Sequence, residues 1–427
     1  MARTPEELEQ DDSRQRVRDQ VRMIRDAHDG DVVWDLPDAA DHRYIFVPGR
    51  VLVALELGEA VRDFARADSE AFGADVSEPQ DLGLGLSRLD FGELRSAPPP
   101  DEDFAPTLRF LRALRLLDIE FGTGAVTPDH YVHVAIGGGR PCPIREPQEV
   151  GTERWPTTLP EDDTSGTGVL VTVVDTGGPP VDGDARALAA VETVGEPMQQ
   201  YAGHGTFVAA VVRGRAPGAT IEHSKLLDKG GAAAESELFQ GLIALLEDAP
   251  GKHIINLSAG GHTRQSLPMK SFEHLWEGRL KDADDTLLVA AAGNDGSDDP
   301  TYPAAFDWAV GVGSLDRDNS VSSFSNYGRS AHVFALGRNH INDFPTGTYV
   351  CRETPDIGDE RHFVNGLARW SGTSFAAPVV TGLIAARAGS DGDSVLGARK
   401  SILADAAEDS DTSRGAYRVI AKETYLP

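Results

Sequence analysis

Cysteine is almost missing from this 427-residue chain, which holds Cys142 and Cys351 and no others. Two sulfurs exclude a disulfide scaffold and an all-protein four-cysteine zinc site, and leave either one bridge or two free thiols. Long apolar runs are missing too: none approaches 18 residues, and the opening MARTPEELEQDDSRQRVRDQ carries charge where a secretory signal needs an apolar core. The chain is therefore expected to cross no membrane and to work in the cytoplasm. Positive charge is in deficit, 40 Lys and Arg against 68 Asp and Glu for a net charge of −28. Such a field repels phosphates and acidic lipid, so nucleic acid and membrane surfaces are not expected partners. The histidines outside GHGT follow no HExxH or other short metal spacing, and the Gly-rich GTGVLVTVVDTGG has neither GxGxxG order nor a P-loop lysine, so no metal and no cofactor is expected.

What is present divides the chain into four stretches. Residues 1–42 are a charged N-terminal segment in which Val17, Val21 and Ile24 recur at helical spacing, predicting an amphipathic helix from about Glu6 to Asp29 that packs on its own protein or docks a regulatory partner. Residues 43–136 read as strand, turn at Pro48-Gly49 and strand in RYIFVPGRVLVALEL. A helix, a strand in LGLSRLDFGEL, a helix through Leu108, Leu111 and Leu114, and a closing strand in HYVHVAI follow. That order suits a small α+β ferredoxin-like domain with helices on one face of an antiparallel sheet. Residues 137–168, rich in Gly, Pro, Thr and acids, read as an exposed linker. From 169 to 427 apolar strands such as VLVTVV and TLLVAAA alternate with helices, which predicts an α/β three-layer domain with a mostly parallel sheet and a C-terminal helical extension.

Polar residues stand where such a sheet presents ligands. Asp175 ends VTVVD, His204 lies in GHGTFVA, and Ser374 lies in SGTSFAAP. A serine hydroxyl becomes a nucleophile when a base takes its proton; an imidazole supplies that base near neutral pH, and a carboxylate fixes its tautomer. Asn294, just past the strand TLLVAAA, has an amide N–H₂ suited to an oxyanion, with the Ser374 backbone N–H as second donor.

With VVDTGG, GHGTFVA, INLSAGG, AAAGNDG, TYPAAF, FSNYG and SGTSFAAP in this order, residues from about 165 to 390 resemble the catalytic domain of the subtilisin-like serine peptidases. The sedolisins share the serine motif but lack the GHGT histidine and use an aspartate where Asn294 stands. The resemblance implies a serine endopeptidase acting on polypeptides, with Asp175, His204 and Ser374 as triad and Asn294 in the oxyanion hole. It further implies that Ser258, Ala259 and Gly260 pair with extended substrate and that Ala292, Gly293 and Asp295 form the other wall of the P1 pocket. Asp295 and Glu235, near the family's P1 and P4 pockets, imply basic side chains in substrates; solvated surface acids are the alternative. The N-terminal α+β domain resembles the family's inhibitory propeptide, which implies a zymogen cut between Ala135 and Gly168.

The chain also departs from the family. HGTFVAAVV runs directly into RGRAPGATI without the longer loop of a tight calcium site, so calcium dependence does not carry over. Phe207 stands where many relatives have histidine. Residues 338–370 form a long polar connection that reads as a lid, a propeptide contact or a solvated loop. Two other functions remain open: a protease effector kept latent until a partner engages residues 1–42, and a peptide-binding pseudopeptidase.

Overall fold

The computed structural model describes residues 5–29, 32–34, 44–94, 108–134, 146–151, 164–178, 197–227, 230–247, 251–283, 285–390, 392–411 and 414–420. It opens with α1 (Pro5–Ala27), β1 (Val33–Trp34) and β2 (Ile45–Ala54). On α1, Val17, Val21 and Ile24 form one buried stripe. The expected turn at Pro48-Gly49 is a correction: β2 runs straight through it, because Gly49 at φ 69° and a register shift between Phe46 and Val51 absorb the irregularity as a bulge.

After α2 (Leu55–Ala67) and α3 (Ser69–Phe72), LGLSRLDFGEL holds the expected strand as β4 (Leu86–Asp90). A strand not foreseen, β3 (Gln80–Gly83), precedes it, and Leu84 and Gly85 at φ 51° and 79° join the two. Two positive-φ residues make the turn whose twist matches a hairpin. With α4 (Leu108–Phe121) and β5 (Val126–His133), the strands stand in the antiparallel order β3-β4-β2-β5. Strand, helix, hairpin, helix, strand in this order is the ferredoxin-like arrangement, and Phe46, Val51, Leu89, Phe110 and Leu114 lie in its core.

Then follow β6 (Gln148–Glu149), β7 (Leu170–Asp175), α5 (His204–Arg213), β8 (Thr220–Lys225), β9 (Ala232–Ala234), α6 (Glu235–Glu247) and β10 (His253–Leu257). After these come α7 (Lys270–Leu275), β11 (Thr286–Ala291), β12 (Val310–Leu315), β13 (Val333–Leu336), β14 (His340–Asp343), β15 (Gly347–Val350), β16 (Glu360–Phe363) and β17 (Leu367–Trp370). The described chain closes with α8 (Thr373–Ser390), α9 (Val395–Asp405), β18 (Ala407–Asp411) and β19 (Gly415–Val419). Among the described residues the main sheet has the order β18-β19-β13-β12-β11-β10-β7-β8, parallel throughout except for the antiparallel β18–β19 pair. Its strands are buried where α8 packs on β10, β11, β12 and β13, and Ala376, Val379, Val380 and Ile384 of that helix are fully covered.

Three further expectations need correction. Of the expected exposed linker, Glu146 and Pro147 are buried and β6 pairs with β17. The 338–370 connection is two antiparallel ladders, β14–β17 and β15–β16, not a bare loop. The C-terminal extension is a helix followed by a hairpin that lengthens the main sheet. Cys142 lies outside the described residues; Cys351 is buried, and burial with the nearby Glu146 pushes its thiol up to about 12. No helix among the described residues is long and apolar enough to cross a membrane.

Candidate active site

Parallel strands end their carboxyl tips on one side of a sheet, and the polar residues singled out above gather there. Asp175 ends β7 and is fully buried. His204 opens α5, one residue after Gly203 at φ 81°, and its Nδ1 lies 2.8 and 2.9 Å from the two Asp175 oxygens. This close approach needs Gly205, where a Cβ would sit 2.0 Å from the Gly177 carbonyl oxygen. The imidazole is wedged between aromatic rings, edge-on to Trp370 at 5.2 Å and against Phe375 at 5.3 Å. Phe207 packs behind both.

Ser374 sits in the first turn of α8 and shares a cavity with His204; its hydroxyl donates to the Ser258 carbonyl at 3.2 Å. Its backbone is held as well. Thr381 donates to Asn256 Oδ1, Asn256 Nδ2 donates to Ser258 Oγ, and Ser258 Oγ donates to the Ser374 carbonyl. Asn294 Oδ1 accepts from both the backbone N–H and the hydroxyl of Thr373, at 2.9 and 3.0 Å. Two donors on one oxygen fix the amide orientation, which leaves Nδ2 buried with no partner beside Ser374. Sequence reasoning missed Thr373 and the Asn256–Ser258–Thr381 relay as supports, although Thr373 lies within the quoted SGTS.

A second cavity on the Asn294 side is lined by Ser258, Ala259, Gly260, Gly293 and Asp295, and also by Val17, Val21 and Ile45 from the N-terminal part. Ala292 is buried behind the wall. Asp295 is engaged: His262 Nε2 lies 3.0 Å from its Oδ2. Burial works against the His262 cation, but the Asp295 contact outweighs it and raises the imidazole pKa. Glu235 is no solvated surface acid. It is fully buried, its Oε1 accepts from the Ser271 N–H, and its Oε2 lies 3.1 Å from His130 Nδ1. Since His130 Nε2 accepts the Arg264 N–H, Nδ1 carries the proton that meets Glu235. Its carboxylate thus meets the N-terminal part rather than open cleft.

β5 fills the cleft edge. Its Tyr131, Val132 and His133 pair with β9, His133 also exchanges two hydrogen bonds with Gly260 (3.0 and 3.1 Å), and Val134 donates to Gly231 at 2.8 Å. Asp129 of β5 caps α6, accepting from the Ser236 N–H and hydroxyl. Burial, opposed by Arg50 and Ser236, pushes its carboxyl from 3.8 up to about 6. A raised folded-state value means that the contribution of Asp129 is fully present below pH ~4 and lost as pH rises through about 6, on the order of 3 kcal/mol in all. Urea unfolding of wild type and Asp129→Asn between pH 4 and 7 checks this: the difference between the two should shift across that window, and a constant difference rules it out.

Comparison with known proteins agrees with this geometry. Residues 166–394, more than half of the chain, match the subtilase family, peptidase S8. Thermitase of Thermoactinomyces vulgaris is 28% identical over 258 residues, 56% of this chain and 82% of that protein. Subtilisin BL of Lederbergia lenta is 33% identical over 232 residues, 52% of this chain and 76% of that protein. Among solved structures, fervidolysin from Fervidobacterium pennivorans, a keratinolytic enzyme related to subtilisin, superposes with a TM-score of 0.58 at 18% identity, covering 92% of this chain and 63% of that one, a likeness of fold. A profile match over more than half the length, on a parallel sheet whose strand ends gather Asp175, His204 and Ser374, settles the kinship: the chain belongs to the subtilase family of serine peptidases.

Proposed function

We propose that the protein is a serine endopeptidase made as a zymogen, with residues 43–136 as its own inhibitory propeptide. Ser374 Oγ attacks the scissile carbonyl after rotating from the Ser258 oxygen toward His204. His204 takes the proton at Nε2 and returns it to the leaving amine, and Asp175 holds Nδ1–H and stabilises the imidazolium. The tetrahedral oxyanion is met by Asn294 Nδ2 and the Ser374 N–H. The buried, partnerless Nδ2 of Asn294 carries this reading, because a peptide-binding pseudopeptidase has no use for a donor whose only satisfaction is a charge formed in the reaction.

Ser258–Gly260 and β9 form the two edges that take an extended substrate between them, and β5 occupies that slot as substrate would. Fluorophosphonate labelling with intact-mass analysis of the purified chain tests the whole. Labelling at Ser374 and loss of an N-terminal fragment ending within a few residues of Val134 are expected; a chain that neither labels nor shortens sinks the proposal. Asn294→Ala is expected to lower kcat roughly 10²- to 10³-fold with KM nearly unchanged, since the amide acts on charge absent from the ground state. Steady-state kinetics on one peptide checks this, and a change confined to KM contradicts it.

A further inference from the structure

On the His204 side of Ser374 lies a partly open cavity that none of the expected site residues besides these two explains. Its far wall is acidic. Glu353, from the β15–β16 turn, is 5% exposed and accepts from the Tyr201 hydroxyl at 2.7 Å. Glu146 is 3% exposed beside it, and accepts from Gln200, the Tyr349 hydroxyl and the Arg352 and Glu353 backbone N–H groups. Glu146 is thereby well satisfied, whereas Glu353 has one neutral donor from the catalytic part and a like charge at its side.

The remainder comes from α1. Gln20, one turn from Arg16, lines the cavity with Glu353, and both it and the Arg16 cation favour the charged form of that carboxylate; both side chains are more than nine-tenths buried. Gln20 Oε1 is buried with no hydrogen-bond partner. Next to them Asp19 Oδ2 accepts from the N–H and hydroxyl of Thr354, at 3.1 and 2.7 Å, so α1 is seated on this wall by consecutive residues. Burial first and the Glu146 charge second raise the Glu353 pKa, and Tyr201, Gln20 and Arg16 pull it back. A buried carboxylate next to another is stabilised by a cation with N–H donors.

We infer that the Glu353 cavity is a specificity pocket for a basic substrate side chain next to the scissile bond, and that α1 covers it, with Gln20 in its lining and the Arg16 charge acting on Glu353 in place of the substrate cation. This rests on the peptidase reading and adds to it the substrate class. The acid expected to select basic residues is thus neither Glu235, which is turned to His130, nor Asp295, which is paired with His262, but one that reaches the cleft from the β15–β16 turn.

The self-processed full chain is tested with peptides carrying Arg, Lys, Gln or Glu at each of the two positions on either side of the cleaved bond. At one of these positions kcat/KM for Arg or Lys is expected to exceed that for Gln by about 30- to 100-fold. Glu353→Gln shrinks that ratio to a few-fold, and Glu353→Asp keeps most of it. Hydrolysis with no basic preference, or a preference unchanged in Glu353→Gln, overturns the pocket while leaving the peptidase intact. If no peptide is cleaved, the peptidase reading fails, and the pocket is then judged by hydrogen exchange of α1 in the Ser374→Ala chain. There Glu353→Gln and Arg16→Gln should each speed α1 exchange, the pair no more than either alone, and an α1 insensitive to both overturns the pairing.

Discussion

Ser374→Ala is expected to yield a folded chain that keeps its full mass, takes no fluorophosphonate label and hydrolyses peptide about 10⁶-fold more slowly than the processed wild type. The size of the loss follows from what remains. Without Oγ no acyl-enzyme forms, and the oxyanion donors can only assist direct attack by water, a residual route of about 10³- to 10⁴-fold over the uncatalysed rate. The fold should survive, because the hydroxyl makes a single hydrogen bond, to the Ser258 carbonyl, worth about 1 kcal/mol. His204→Ala added to Ser374→Ala should cost nothing further, since the two act as one unit. Intact-mass spectrometry over hours, beside near-ultraviolet dichroism to verify packing, decides the matter. A Ser374→Ala chain that still shortens at the wild-type rate means that another protease makes the cut.

Asp175→Asn is expected to lower kcat about 10⁴-fold while leaving the size and shape of the side chain almost as they were. Asp175 Oδ1 accepts from the Thr176 N–H at 2.7 Å, and both oxygens face His204 Nδ1. An asparagine keeps its oxygen on Thr176, which needs an acceptor, and so turns its N–H₂ to the imidazole. His204 must then present a bare Nδ1, its proton moves to Nε2, and the nitrogen facing Ser374 can no longer accept. The buried ring, held by Trp370 and Phe375, has no room to escape by flipping. Burst kinetics with an ester substrate separates this from a binding defect: acylation should slow with little change in KM. A variant that loses affinity but acylates normally contradicts the assigned role.

The covering of the cleft bears on how such an enzyme is switched on. β5 lies between β9 and Gly260, and α1 packs beside it, with Val17 and Val21 lining the Asn294-side cavity and Gln20 the His204-side one. A cut behind β5 alone leaves α1 in place through its buried stripe, in one cluster with Ile45, Val47, Tyr131, Ala232 and Ala234. Release therefore calls for α1, β1–β5 and their helices to leave together, since β2 and β5 belong to one sheet. The two openings of the cleft are closed by different elements of one unit, so opening either requires moving both.

Much of this was legible in the chain itself. Asp175, His204, Asn294 and Ser374 sit in short motifs whose glycines and strand runs announce sharp turns at the ends of parallel strands, and local rules suffice to read them. The helical stripe of Val17, Val21 and Ile24 was equally plain, because 3.6-residue spacing is a property of the segment alone. Turns were read less well. Pro48-Gly49 signals a reversal in isolation, but β2 is clamped between β4 and β5 and stays extended through a bulge, whereas Leu84-Gly85 carries no strong signal and does reverse. What α1 covers, what Glu235 faces and what Glu353 does were decided only by the tertiary structure. Asp19 and Thr354 are 335 residues apart and Glu146 and Glu353 are 207 apart. Pairings of that span leave no periodicity in the sequence, since the partner of a buried charge is chosen by desolvation once the chain has folded and not by its neighbours along it.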